Sequence, residues 1–234
     1  MVPNSKLESR PGVGAIIVAA GSSRRMGGWD KITASLGGKT VLARVVDTFE
    51  NSRLVERIVI VLGTSNLEWG QRMVVEQGWS KVSDVCAGGE RRQDSVAAGL
   101  SRLPDCCWIV VHDGARPLLT GDLISRGLAA AEETGAAVAA VPAGDTIKLA
   151  DEGGFVCETL PRDKLWVVQT PQVFRIDIIS EAYRQVKSEV TDDASLVEQI
   201  GYPVKLYTGS YDNIKITTLD DLALAEVLVK KNGG

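Results

Sequence analysis

Short apolar runs alternate along this chain with amphipathic stretches. Five of the runs read as strands: "GAIIVAA" (14–20), "RIVIVLG" (57–63), "CWIVVHD" (107–113), "GAAVAAVP" (135–142) and "LWVVQT" (165–170). They are continuous rather than alternating, the pattern of strands buried on both faces. In "TVLARVVDTFE", Val41, Leu42, Val45, Val46 and Phe49 share one helical face. "SVAAGLSRL" after Asp94, "DLISRGLAAAEET" and the C-terminal "LDDLALAEVLVKK" also read as helices, the last capped by Thr217 or Thr218. Strand–helix alternation implies βαβ crossovers, so the expected fold is α/β: a Rossmann-like, mostly parallel twisted sheet flanked by helices.

One segment breaks this rhythm. From Pro142 to Pro161, "PAGDTIKLADEGGFVCETLP" reads as two short strands around the turn "ADEGG", a β-hairpin. Such an insertion is either an edge decoration or an arm reaching to a partner. No repeat, low-complexity tract or interdomain linker is present, so residues 1–234 read as a single domain with 142–161 protruding from it.

A chain of 234 residues buries a full core without metal or disulfide staples. Apolar residues make up 44% and charged residues 24%, within the ordinary globular range. The formal charge of −4 offers no global basic field, so no nucleic-acid partner is expected and any polyanion site must be local. Cys86, Cys106, Cys107 and Cys157 form no CxxC pair and fit buried, reduced thiols in a cytosol. The N-terminal stretch lacks the apolar core of a signal peptide, and no run approaches the ~20 apolar residues of a membrane span. A cytoplasmic protein without membrane association is expected.

The first strand runs into "AAGSSRRMGGWDK" (19–31), the place where open α/β sheets hold their ligands. Gly21 permits a tight turn with outward N–H groups, Ser22 and Ser23 keep the approach open, and Arg24, Arg25 and Lys31 add positive charge. The stretch reads either as a phosphate cradle or as a glycine turn with solvated arginines. It is not a GxGxxG fingerprint, and "GGKT" (37–40) fails as a Walker A because Thr33 stands where glycine is needed.

Further along, "VVHDGARP" (110–117) ends a strand with Asp113 and Arg116. A single carboxylate there suits Mg²⁺, which takes one or two carboxylates plus phosphate oxygens. His112 is the only histidine, which excludes a His-centred triad or a His-rich metal site. It reads first as a packed or hydrogen-bonded strand residue. "AGGERRQDS" (87–95) is either a solvated charged loop or a second glycine turn into a helix. "VTDDAS" (190–195) starts a helix at which Thr191 binds an anion or satisfies backbone donors, and "YDNIKITT" (211–218) places Lys215 in a short strand. Cations thus recur at strand ends with one acidic residue among them and no histidine base. Phosphoryl-type transfer, which works by positioning and charge stabilisation, needs little else.

Taken in order, "AAGSSRRMG…DK", "GGERRQDS", "HDGARP", "DTIK", "QTPQVF", "TDDAS" and "DNIKIT" resemble the signatures of the 2-C-methyl-D-erythritol 4-phosphate cytidylyltransferases, from about Gly14 to Val229. The resemblance implies the nucleotide-diphospho-sugar transferase type of fold. It also implies that CTP and methylerythritol phosphate are joined with release of pyrophosphate, by in-line attack of the acceptor phosphate on the α-phosphorus. Ala19, Ala20, Gly21, Ser22, Ser23 and Arg24 would then wrap the triphosphate. Arg25, Lys31 and Lys215 would be the catalytic cations, and Asp113 would hold Mg²⁺. Gly88, Gly89, Glu90, Ser95 and Gly114 match positions that read cytosine and ribose. Arg116, Thr146, Arg162, Thr170, Thr191 and Lys215 match the acceptor pocket and its rim. The hairpin would be an arm exchanged in a homodimer, with Thr146 and Arg162 serving the neighbouring subunit. The chain departs from the family pattern at Asp30 and Ile32 around Lys31, at Glu90 where aspartate is frequent, and at Gly114 where alanine is common. A ribitol 5-phosphate cytidylyltransferase and a catalytically dead sugar-nucleotide binder are the competing readings.

Overall fold

The computed structural model of the chain describes residues 12–21 and 30–231. Among these residues one sheet organises the molecule. Its strands are β1 (Val13–Ala19), β4 (Arg57–Leu62), β5 (Val82–Ala87), β6 (Trp108–Asp113), β7 (Ala136–Pro142), β10 (Trp166–Arg175) and β11 (Lys205–Thr208). Their order is β11-β7-β10-β6-β1-β4-β5. β1 pairs in parallel with β4 and β6, β4 with β5, and β7 with β11; β10 runs antiparallel between β6 and β7. Two small ribbons complete the strands: β2 (Ser35–Leu36) with β3 (Lys39–Thr40), and β8 (Lys148–Ala150) with β9 (Val156–Thr159).

The crossovers are α1 (Val41–Glu50), α2 (Leu67–Gln77), α3 (Arg92–Leu100) and α4 (Gly121–Thr134), followed by α5 (Ile176–Gln185), α6 (Asp193–Gln199) and α7 (Leu219–Lys231). α1 begins where Thr40 accepts from the Ala43 N–H, and its face of Val41, Leu42, Val45, Val46 and Phe49 is fully buried. Each such side chain contributes about 1.5–3 kcal/mol on leaving water. The central strands are buried on both faces: one cluster joins Ile17, Ile58 and Ile60 to α1 and α4, and the other joins Ile16, Val59 and Val111 to α3, α5 and α6. α7 starts as a reciprocal cap, the Thr218 hydroxyl accepting from the Asp221 N–H and the Asp221 carboxylate from the Thr218 N–H.

Four expectations are corrected. Residues 166–168 are exposed rather than buried, because at its start β10 pairs with β7 but has no β6 beside it, and it enters the core only from Gln169. Lys215 lies in no strand; Ser210, Asp212 and Asn213 fold the segment into turns through local hydrogen bonds, and just past Lys215 the Ile216 N–H donates to the Ala115 carbonyl. α3 starts at Arg92, before the residues expected, because the Asp94 carboxylate accepts from the Arg91 N–H as a first-turn cap. α6 is capped by Asp192, which accepts from the Ser195 N–H, and not by Thr191. The hairpin forms with Asp151–Gly154 as its turn, and both of its strands are exposed along their length.

Candidate active site

Two cavities open at the carboxyl ends of β1 and β6. The first, about 570 Å³, is lined by Ala19, Ala20, Gly21, Lys31, Gly89, Glu90, Ser95, Asp113 and Lys215 from the expected set, together with Arg91 and Arg92. The second, about 390 Å³, takes Arg116, Thr170, Thr191, Asp113 and Lys215, with Gln169, Gln172, Asp192 and Arg92 beside them. The structure therefore gathers most of the expected residues around one junction. Ser22, Ser23, Arg24 and Arg25 lie outside the described residues.

Four expected positions among the described residues line neither cavity: Gly88, Gly114, Thr146 and Arg162. Thr146 is exposed at the hairpin's approach. Arg162 opens a short 3₁₀ turn, donates to the Gly144 carbonyl at 2.9 Å, and lines a separate recess with Trp166. Gly88 and Gly114 act through close backbone approach. A Cβ at 88 would come within 2.4 Å of Ala20 Cβ and 2.5 Å of Ser95 Oγ. One at 114 would come within 2.8 Å of Ala19 Cβ, so alanine there requires the end of β1 to give. Ser95 in turn holds the glycine turn, accepting from the Gly89 N–H at 3.2 Å.

Asp113 is the electrostatic centre. Its Oδ2 lies 2.7 Å from Lys215 Nζ and 3.9 Å from Arg116 Nε, and its Oδ1 lies 3.3 Å from Arg92 Nε. Burial alone would raise its pKa, but the charges of Arg92, Lys215 and Arg116 overcome that and hold the carboxyl below the usual carboxylate range. Asp193, 1% exposed, adds a second carboxylate 2.6 Å from Arg92 Nη1. Three cations thus face two anions, and Lys31 stands on the wall of the first cavity. The first cavity's lining is net positive, with Lys31, Arg91, Arg92 and Lys215 against Glu90 and Asp113, and in a partly buried site that favours a phosphate-bearing ligand; the second balances Arg92, Arg116 and Lys215 against Asp113, Asp192 and Glu198.

The acceptor-side wall is held from beneath by polar groups. His112 is fully buried; its Nδ1 lies 3.0 Å from the Thr170 hydroxyl and its Nε2 lies 3.1 Å from the Arg116 carbonyl. Burial pulls its pKa down to about 4, so it is neutral near pH 7. The Thr170 hydroxyl also accepts from the Asp113 N–H at 3.0 Å. Asn213 donates to the Thr170 carbonyl at 2.8 Å, and its own carbonyl accepts from Arg116 Nη1 at 2.7 Å. Arg92, Gln172, Asp193 and Asn213 were not singled out from the sequence. The available signal was a polar residue beside an apolar run, as Gln172 is before Val173 and Phe174 in β10.

Among the described residues no group of three or more His, Cys, Asp or Glu side chains is placed to hold a metal, and no helix is long and apolar enough to cross a membrane.

Comparison with known proteins agrees with this geometry. The family model described as "IspD: 2-C-methyl-D-erythritol 4-phosphate cytidylyltransferase" matches residues 13–231. A protein of that name from Dehalococcoides mccartyi strain 195 is 55% identical over 94% of this chain and 96% of its own length. Among solved structures, the 4-diphosphocytidyl-2C-methyl-D-erythritol synthase of Anaerococcus prevotii is similar with a TM-score of 0.84 at 30% identity, covering 94% of this chain and 96% of that one. The cytidylyltransferase of Thermus thermophilus follows at 0.75 and 33%, covering 94% and 99%. The fold is that of the nucleotide-diphospho-sugar transferases, and the chain belongs to the 2-C-methyl-D-erythritol 4-phosphate cytidylyltransferase family.

Proposed function

We propose that this site transfers a cytidylyl group from CTP to 2-C-methyl-D-erythritol 4-phosphate, forming 4-diphosphocytidyl-2-C-methyl-D-erythritol and pyrophosphate. The observation that carries the reading is the shared wall of Asp113, Arg92 and Lys215 between a first cavity whose lining is net positive and a second whose wall holds Arg92, Arg116 and Lys215. A nucleotide in the first cavity and a phosphate monoester in the second would meet there. The acceptor is already an anion, so no general base is required, which agrees with a neutral, buried His112.

In this reading Ala19, Ala20 and Gly21, with Ser22, Ser23 and Arg24, receive the triphosphate. Gly88, Gly89, Glu90, Ser95 and Gly114 frame the base and ribose. Lys31, Arg25 and Lys215 offset the charge that grows on the phosphorane oxygens, a role worth about 3–4 kcal/mol for one well-placed donor. Arg116, Thr170 and Thr191 receive the acceptor phosphate. Mg²⁺ fits this donor set because Asp113 is one carboxylate facing a phosphate site, and Mg²⁺ draws most of its ligands from phosphate and water. When bound it neutralises phosphate charge; Asp113 is the residue that would hold it.

Homodimerisation through the hairpin belongs to the same proposal. Leu149, Phe155 and Val156 on the arm are 53–75% exposed, and Trp166 and Val167 at the start of β10 extend the apolar surface. Thr146 and Arg162 would then serve the neighbouring subunit, in keeping with their distance from this chain's own acceptor cavity. A cytoplasmic location is supported by four free thiols, although Cys86 and Cys106 alone are buried as expected, Cys107 being half-buried and Cys157 exposed on the hairpin. The test is ³¹P NMR of protein, CTP, Mg²⁺ and methylerythritol phosphate together. Growth of a diphosphate diester signal beside pyrophosphate is expected; an acceptor monoester signal that never changes overturns the reading.

A further inference from the structure

Arg92, Asp113 and Lys215 are the side chains common to both cavities, and of these Arg92 reaches across to the start of α6. It is the first residue of α3, directly after the glycine turn of the nucleotide cavity. Its Nε faces Asp113 at 3.3 Å, and its Nη1 donates to Asp193 Oδ2 at 2.6 Å. Asp193 opens α6, one residue past the cap and two past Thr191.

The far side of this contact is as closely held. Asp193 Oδ1 accepts from the Tyr183 hydroxyl at 2.5 Å, and the Asp193 and Ala194 N–H groups donate to Gln172 Oε1 at 3.2 and 3.3 Å. Gln172 also donates to Asp192 at 2.8 Å. The start of α6 is therefore tied to two things: β10, through Gln172, and the nucleotide turn, through Arg92. Burial works against the Arg92 charge, but Asp193 and Asp113 raise its pKa on balance, so the cation persists at every working pH.

Stability is a poor explanation for this arrangement. A buried ion pair is often matched or bettered by apolar packing of the same volume. The pair here also leaves Arg92 Nη2 buried without a hydrogen-bond partner among the described residues. What a guanidinium supplies and packing does not is two rigid donors at a fixed angle, one on each carboxylate.

We propose that Arg92 is a positioning residue that couples the two cavities, its bridge from Asp113 to Asp193 making the nucleotide turn and the start of α6 move as one. Occupancy of the nucleotide cavity then sets the geometry of Thr191 and Asp192 in the acceptor cavity, and by linkage the reverse. The inference rests on the functional reading above for the identity of the two ligands.

The test is calorimetric. The acceptor's Kd is measured with and without a saturating α,β-methylene analogue of CTP, for the wild type, Asp193→Asn and Arg92→Lys. In the wild type the analogue is expected to change the acceptor Kd about fivefold or more. Asp193→Asn keeps the shape and the Tyr183 acceptor but removes the charge, so it guards against an unfolded Arg92 variant. In it the change should fall below about twofold while nucleotide affinity stays within about threefold. Arg92→Lys, with one point charge for two donors, should not restore the coupling. A wild-type coupling of one, or a coupling unchanged in Asp193→Asn, overturns the proposal and leaves the cytidylyltransferase reading standing. A wild type that binds neither ligand overturns both.

Discussion

Lys215 Nζ lies 2.7 Å from Asp113 Oδ2. The two side chains come from distant parts of the sequence and are brought together because Ile216 pairs its backbone N–H with the Ala115 carbonyl at 2.8 Å. Asp113 is thereby kept ionised, and the ammonium is stationed where the two cavities meet. In the proposed reaction an arriving polyphosphate would compete with Asp113 for this lysine, redistributing charge within the site.

Loss of either lysine should therefore damage turnover more than folding. Lys31→Ala and Lys215→Ala are each expected to lower kcat about 10²–10³-fold, the usual cost of one preorganised charge-stabilising donor. Melting temperatures should stay near the wild-type value, since Arg92 and Arg116 remain beside Asp113. Near-normal kcat in either variant removes that residue from the reaction.

Asp113→Asn should act on both levels. It leaves Arg92, Arg116 and Lys215 with one buried counter-charge instead of two, and unfolding stability should drop by about 3 kcal/mol or more. Because the folded carboxyl has a depressed pKa, its contribution is present above the unfolded value of about 3.9 and is lost as pH falls below it. The activity titration with Mg²⁺ should also shift to higher metal concentration. An unchanged metal titration contradicts the ligand role given to Asp113.

His112 predicts a pH dependence of stability. Unfolded, it takes a proton near pH 6.5; folded, only near 4. Between those values the unfolded state binds more protons, so stability rises with pH through that window and is fully present above 6.5. The gap corresponds to about 3 kcal/mol at most. Urea unfolding of the metal-free protein at pH 7 and pH 5 checks this. His112→Phe should flatten the difference, and an equally steep loss in the variant assigns it elsewhere.

Deletion of residues 143–160 should yield a monomer by light scattering with the main sheet intact. β8 and β9 pair only with each other, and no side chain of either strand is buried in this chain. A dimer that persists shows that another surface holds it.

β1, β4, β6 and β7 were legible within a residue or so, because strands buried on both faces read as unbroken apolar runs. β5, "VSDVCA", was not: it is an edge strand whose Ser83 is exposed and Asp84 only half-buried. β10 was legible only in its first half, since Pro171 interrupts the run that Gln172, Val173 and Phe174 continue. At the site, Asp113 as the last residue of β6, Arg116 shortly after it and Lys31 in the charged stretch that follows β1 were legible from their place near the carboxyl ends of strands. Arg92 and Asp193 did not, because their meaning lies in a pairing between residues 101 apart, and no local pattern records it. Asn213 was hidden in the same way, as a buried side chain whose partners sit on β10.

The most direct test of the central claim is pyrophosphate release in the presence of Mg²⁺, with each of the four nucleoside triphosphates set against methylerythritol phosphate and ribitol 5-phosphate. Release with CTP and methylerythritol phosphate alone is the predicted result. Release with ribitol phosphate in its place would keep the chemistry and contradict the acceptor; no release with any pair would contradict catalysis itself.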